Sequence, residues 1–144
     1  MEIGPLVTRA VLTVKPGDRL RDAAVAMMER GVGSAVVITD GKPSGILTDR
    51  ETLRAIAQGK DAGRLTVGDF MVGRPTTVSA SLELLDAARI MREKGFRHLV
   101  VVDENGALAG VFSMRDLVVG LLEERKALAR AAAAVPTGPP SDAV

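Results

Sequence analysis

Two short stretches carry the side chains best placed to do chemistry. Residues 110–116 read GVFSMRD and residues 45–51 read GILTDRE. Each sets a hydroxyl three positions ahead of a carboxylate, Ser113 with Asp116 and Thr48 with Glu51. Where a strand hands over to a helix, that spacing forms a capping box, in which hydroxyl and carboxylate satisfy free backbone N–H groups. The same pair can grip a sugar–phosphate. An ionised carboxylate accepts two hydrogen bonds side by side from a cis-diol, and a helix N-terminus seats a phosphate. Both readings fit these residues. Asp49, Glu51 and Asp116 are also acid–base candidates, but no nucleophile–base pair, metal cluster or glycine-rich phosphate cradle accompanies them, so an enzyme is not expected.

The rest of the composition narrows the chemistry further. The 144 residues contain no Cys, no Trp, no Tyr, three Phe and one His, His98. Disulfides, thiolate catalysis and zinc fingers are thereby excluded, and a His-rich metal site with them. Stacking platforms for single-stranded nucleic acid are nearly absent. A net charge of +1, with both signs interspersed, gives no footprint for nucleic acid or an anionic membrane. The N-terminus lacks a basic region followed by an apolar run, and no apolar stretch approaches the roughly 20 residues that span a bilayer. The chain therefore reads as soluble and cytoplasmic.

The elements that must position the two motifs repeat. Shifted by 64 positions, TVKPGDRLRDAAVAMMERGVGSAVVIT lies over TVSASLELLDAARIMREKGFRHLVVVD, matching Thr13 with Thr77, Val14 with Val78, Leu20 with Leu84 and Met27 with Met91. One extra residue in the second copy makes the offset 65, so that Gly45 pairs with Gly110, Thr48 with Ser113 and Arg50 with Arg115. The chain is a tandem duplication.

Each copy predicts a strand ending in the Thr-Val pair, then a helix with apolar residues at 20, 23, 24, 27 and 31, or at 84, 87, 88, 91 and 95. Asp18 and Ser81 are the candidate N-caps, Gly31 and Gly95 the stops. Met27, Met28 and Met91 read as core. A β-branched strand follows, turns at Asp40-Gly41 or Asn105-Gly106, and returns into a second helix. The fold class is α+β, with two pseudo-symmetric β-α-β-β-α units. A unit of about 60 residues can scarcely bury its own sheet, so the two should pack through their sheets. Residues 1–64 form the first repeat with its lead-in segment, 65–126 the second, and 127–144 a helix extension with a tail broken by Pro136, Pro139 and Pro140.

Over residues 3–124 this arrangement resembles the tandem CBS-domain pair (the Bateman module). GFRHLVVVDENGALAGVFSMRDL resembles the family's hairpin and following helix, and VGDFMVGRPTTVSASLELLDAARIM its lead-in; Val100 departs from the proline of many members. The resemblance implies a regulatory site in a cleft between repeats for an adenosyl ligand, AMP foremost, with ADP, ATP, NAD or S-adenosylmethionine as alternatives, and no required cofactor or metal. In the family's signature of Gly, two apolar residues, Ser or Thr, two variable residues and Asp, the Asp accepts the ribose hydroxyls. That places Gly110, Ser113, Arg115 and Asp116 in the fuller site, with Arg97 and His98 as phosphate candidates and Thr76, Thr77 and Val78 flanking the adenine. Thr13, Thr48, Arg50 and Glu51 form a weaker site, because Glu51 stands where the signature has Asp. A homodimer is implied, supported by Leu117, Val118, Leu121, Leu122 and Leu128 on a long last helix, with an unknown effector protein downstream. The alternative is a structural oligomerisation or docking module that binds no nucleotide.

Overall fold

The computed structural model describes residues 1–134. The first unit runs β1 (Thr13–Val14), α1 (Leu20–Arg30), β2 (Ser34–Thr39), β3 (Lys42–Thr48) and α2 (Asp49–Ala57). A linker then supplies α3 (Val67–Phe70) and β4 (Val72–Gly73). The second unit repeats the order as β5 (Thr77–Ser79), α4 (Leu84–Lys94), β6 (His98–Val102), β7 (Leu108–Ser113) and α5 (Met114–Ala134). Helix α5 runs on to Ala134, while Pro136, Pro139 and Pro140 lie outside the described residues.

The local chemistry explains these boundaries. Gly31 and Gly95 end their helices in the left-handed conformation, at φ 63° and 68°. Asp40 and Gly41 both take positive φ and join β2 to β3 by a two-residue turn. The second hairpin is looser, since Asp103 accepts hydrogen bonds from the N–H groups of Asn105 and Ala107 around it. The N-caps differ from expectation. Arg19 and Glu83 occupy those positions, and neither uses its side chain. Backbone carbonyls brought from elsewhere take the free donors instead. Leu20 and Arg21 donate to Leu65 and Ala62, and Leu84 donates to Met1. Asp18 instead accepts from the Lys15 N–H, and the Ser81 hydroxyl pairs with that of Ser79.

Sheet order is β1-β2-β3-β4 in the first unit and β5-β6-β7 in the second. The two share their irregularities, with a register shift after Val37 in one and after Val101 in the other. Each unit buries its own cluster between sheet and helices, including Leu20, Met27 and Leu47 in the first and Leu84, Met91 and Phe112 in the second. Of the three methionines expected in the core, Met28 is the exception, 82% exposed on the outer face of α1. A third cluster joins Val36 from one sheet to Val100 and Val111 from the other, with Ile46 and Leu108 packed against it. The two units therefore meet through their sheets, and each fully buried branched side chain contributes about 1.5–3 kcal/mol to that seam.

The lead-in segments are exchanged. Ile3 and Val7 pack into the second unit's core, and Thr8 bridges antiparallel to Val111 with hydrogen bonds in both directions. Val67 and Phe70 fill the first unit's core, and Val72 and Gly73 pair with Ile46 and Gly45 of β3. Residues 1–8 thus precede the first repeat in the chain but pack with the second. The close approach requires glycine. A Cβ on Gly110 would lie 2.5 Å from the Thr8 carbonyl oxygen and would overlap the Val7 side chain. Gly110→Ala is therefore expected to displace the N-terminal segment and to cost about 1–3 kcal/mol, the range for overpacking. Urea denaturation checks this, with Gly17→Ala, where nothing lies within 4 Å, as the neutral control.

Candidate functional site

Both hydroxyl–carboxylate motifs form caps. The Thr48 N–H and hydroxyl both donate to Oε2 of Glu51, the former at 2.7 Å. At the second motif the Ser113 N–H and hydroxyl donate to Oδ2 of Asp116 at 2.8 and 3.0 Å, and the Asp116 N–H donates back to the Ser113 hydroxyl at 3.2 Å. The two carboxylates differ in what remains. Glu51 is 3% exposed, the single buried charged residue among those described. Asp116 is half-buried, and its Oδ1 receives only a long bond, 3.3 Å, from the Thr8 hydroxyl. That oxygen can accept from an incoming donor without opening the helix cap.

Two clefts lie at the seam, and each is assembled crosswise. The first takes Thr48, Arg50 and Glu51 from the first unit's motif, and Gly95 to His98 from the turn after α4 of the second. The second takes Ser113, Arg115 and Asp116 from the second unit's motif, and Gly31 to Ser34 from the turn after α1 of the first. The remaining wall of each is the segment in which the chain crosses between units. Val72, Arg74, Pro75 and Thr76 border the first cleft; Thr8, Ala10, Val11 and Leu12, their counterparts 64 positions earlier, border the second. The second cleft is the roomier, about 360 Å³ against about 100 Å³.

This geometry redistributes the expected site residues. Ser113, Arg115 and Asp116 stay together in the second cleft, and Thr48, Arg50 and Glu51 in the first. Arg97 and His98 border both, because β6 begins between them. Thr76 faces the first cleft, not the second. Thr77 is exposed on β5, Val78 packs into the second unit's core, and Gly110 is the buried point of strand approach. Thr13 lies on a shallow groove beside the Asp40-Gly41 turn. Thr8 and Arg74 were missed; extending the 64-residue register upstream of Thr13 would have drawn attention to both crossing segments.

Charge separates the clefts. Three arginines and one carboxylate border the first, whereas two arginines and two carboxylates, Asp49 and Asp116, border the second. Arg97 spans the gap between units, donating to Asp49 at 2.9 Å. Beside it, His98 is held below its ordinary value of 6.5, first by burial and then by the Arg97 charge, against the opposing pull of Asp49, Asp116 and Glu51. Among the described residues no group of His and acidic side chains is arranged to hold a metal, and no helix is long and apolar enough to cross a membrane.

The comparisons with known proteins agree with this architecture. The CBS domain family matches twice, at residues 3–58 and 67–123, and the chain belongs to that family. An uncharacterized protein of Methanopyrus kandleri is 32% identical over 120 residues, 82% of this chain and 61% of the relative, so the chain spans under two thirds of that protein's length. The CBS domain protein PAE2072 from Pyrobaculum aerophilum, complexed with AMP, superposes with a TM-score of 0.75 at 30% identity, covering 81% of this chain and 89% of that one. CBSX2 from Arabidopsis thaliana in complex with AMP gives 0.73 at 29% identity, covering 86% and 98%.

His98 is the chain's single histidine, so its titration can be isolated. Its lowered folded-state value means that the unfolded chain takes up the proton first as pH falls. Stability is expected to be level above about pH 7 and to decline from about pH 6.5 down to the folded value, below which this contribution is constant. Urea titrations of wild type and His98→Gln across pH 5–8 check this. The substitution should remove that decline, and a slope unchanged in the variant would assign it to other groups.

Proposed function

We propose that the chain is a regulatory module, not an enzyme, that binds an adenosyl ligand between its repeats and transmits occupancy to a partner protein in the cytoplasm. The carrying observation is the Asp116 carboxylate. One oxygen closes the helix cap while the other borders the roomier cleft with Ser113 beside it. A ribose diol supplies the two donors such a group can accept, as charge-assisted bonds. Two structural neighbours that carry AMP support an adenine nucleotide as the ligand, AMP foremost and ADP or ATP next. Two of the three acid–base candidates are engaged elsewhere, Asp49 by Arg97 and Glu51 in its cap, which leaves Asp116 without a partner for acid–base work and favours binding over turnover.

The outer helix faces favour self-association. Met28, Leu53, Ile56 and Leu85 are exposed on α1, α2 and α4, and Leu122 and Leu128 on α5. Of the five apolar residues expected to mark the last helix, only Leu117 is buried within the chain. A homodimer that covers these faces is the arrangement we favour, and light scattering at micromolar concentration should return the mass of two chains. A single-chain mass would refute it.

Titration calorimetry with AMP, ADP, ATP and S-adenosylmethionine tests the ligand reading. Asp116→Ala should weaken the bound nucleotide by about ten- to a hundred-fold, which corresponds to roughly 1.5–3 kcal/mol for hydrogen bonds to a charged group. Glu51→Ala should lower stability by about 1 kcal/mol through its lost cap and leave that affinity near wild type. Ligand stabilisation grows as RT ln(1 + [L]/Kd), so the melting shift should shrink in the first variant and persist in the second. No binding of any of the four compounds to the wild type would favour a docking module with empty clefts.

A further inference from the structure

The two clefts share a plan but not a chemistry. Position by position under the pseudo-symmetry, Arg74 of the first cleft corresponds to Ala10 of the second, Arg97 to Gly33 and His98 to Ser34. Arg50 and Arg115 are the one matched pair of cations. Arg97 and His98 also border the second cleft, so Arg74 is the substitution that gives the first its additional cation. The carboxylates have diverged as well. Glu51 is buried with its Oε2 committed to Thr48, whereas Asp116 keeps an oxygen for an outside donor.

Arg74 supplies an independent observation. It is one of two non-glycine residues with positive φ among those described, at 51°, and Ala10 does not share the conformation. The left-handed region is unfavourable for a side chain of this size, and glycine would sit there without strain. The other such residue, Asp40, lies in a hairpin turn where Asp is well tolerated. Neither Arg50 nor Arg74 takes part in an ion pair among the described residues. Two unpaired guanidiniums, one held in a costly backbone conformation, thus border a narrow cleft with Arg97 and a single buried carboxylate.

We propose that the first cleft is a phosphoanion site, in which Arg50, Arg74 and Arg97 bind a phosphate chain without the ribose grip that Asp116 provides in the second. Guanidinium groups suit this ligand because their planar forks donate in pairs to phosphate oxygens. The phosphate can belong to an inorganic polyphosphate or to the tail of a nucleotide. This inference rests on the clefts being ligand sites, and it adds that they divide the work: a phosphate chain in the first, the ribose of an adenosyl ligand in the second.

The experiment uses the full chain, with tripolyphosphate, ATP and adenosine as separate probes in titration calorimetry at low salt. The double variant Arg50→Ser/Arg74→Gly removes the two unpaired cations, and glycine fits the backbone at position 74. Tripolyphosphate should bind the wild type and lose at least tenfold in affinity in the double variant, with adenosine binding unchanged. Asp116→Ala should do the reverse. The imidazole resonances of His98, which border both clefts, should shift with tripolyphosphate in the wild type and in Asp116→Ala. ATP bound tenfold tighter than tripolyphosphate, and weakened by the double variant, would identify the nucleotide tail as the source; equal or tighter tripolyphosphate binding would identify the free anion. Affinities for tripolyphosphate and ATP that are both unchanged in the double variant would overturn the proposal, as would loss of tripolyphosphate binding in Asp116→Ala. Failure of adenosine alone would count against the adenosyl reading and leave this one standing.

Discussion

The structure depends on strand segments that leave their own repeat. A β-α-β-β-α unit of this size exposes the outer edge of its returning strand, and an uncovered edge is an unsatisfied row of donors and acceptors. Here β3 is covered by β4 from the linker, and β7 by the backbone of Thr8. The covering segments also bring apolar side chains, Val67 and Phe70 in one case, Ile3 and Val7 in the other. Neither repeat completes its core without residues that precede the other one in the chain.

The clefts follow from that exchange. To cover one unit's edge and then begin the other unit's first strand, the chain must cross the seam, and it does so at residues 8–12 and 72–76. Those crossings form walls, and the helix-opening motifs face them across the gap. Each cleft thus draws on both repeats, and a ligand seated there would touch both units at once. The Arg97–Asp49 pair lies on the same seam and has no counterpart across the pseudo-symmetry, where Gly33 and Met114 stand. One motif in each cleft is therefore repeated, while the opposite walls have been free to diverge.

Much of the fold was legible because local rules and long-range packing agree. The offset of 64 and then 65 residues exposes the duplication, and Gly31, Gly95 and the Asp40-Gly41 turn fall where their chemistry puts them. The N-caps were misread at Asp18 and Ser81 because the true partners of those helix N-termini, the carbonyls of Leu65, Ala62 and Met1, are distant in sequence. The same difficulty affected the site. Ser113 and Asp116 are three residues apart and were legible together, as were Thr48 and Glu51. Thr76, Arg97 and His98 stand near Asp116 in chain order, but the crosswise assembly sends Thr76 to the other cleft and places Arg97 and His98 on both. Met28 was assigned to the core beside Met27, although adjacent helix positions point about 100° apart.

The exchange also orders events on the ribosome. Translation delivers the chain from its N-terminal side, so Ile3 and Val7 are made before the sheet they pack against. The first unit can close as soon as β4 has been made. The opening segment has to wait until β7 exists, more than a hundred residues later, before Thr8 can pair with Val111. During that interval the nascent polypeptide carries an unpaired apolar strand, and it lies beside an already formed first unit with Val36 still uncovered. In a duplicated protein with two nearly equal halves, the pairing of Thr8 with Val111 thus joins segments made at opposite ends of the two repeats.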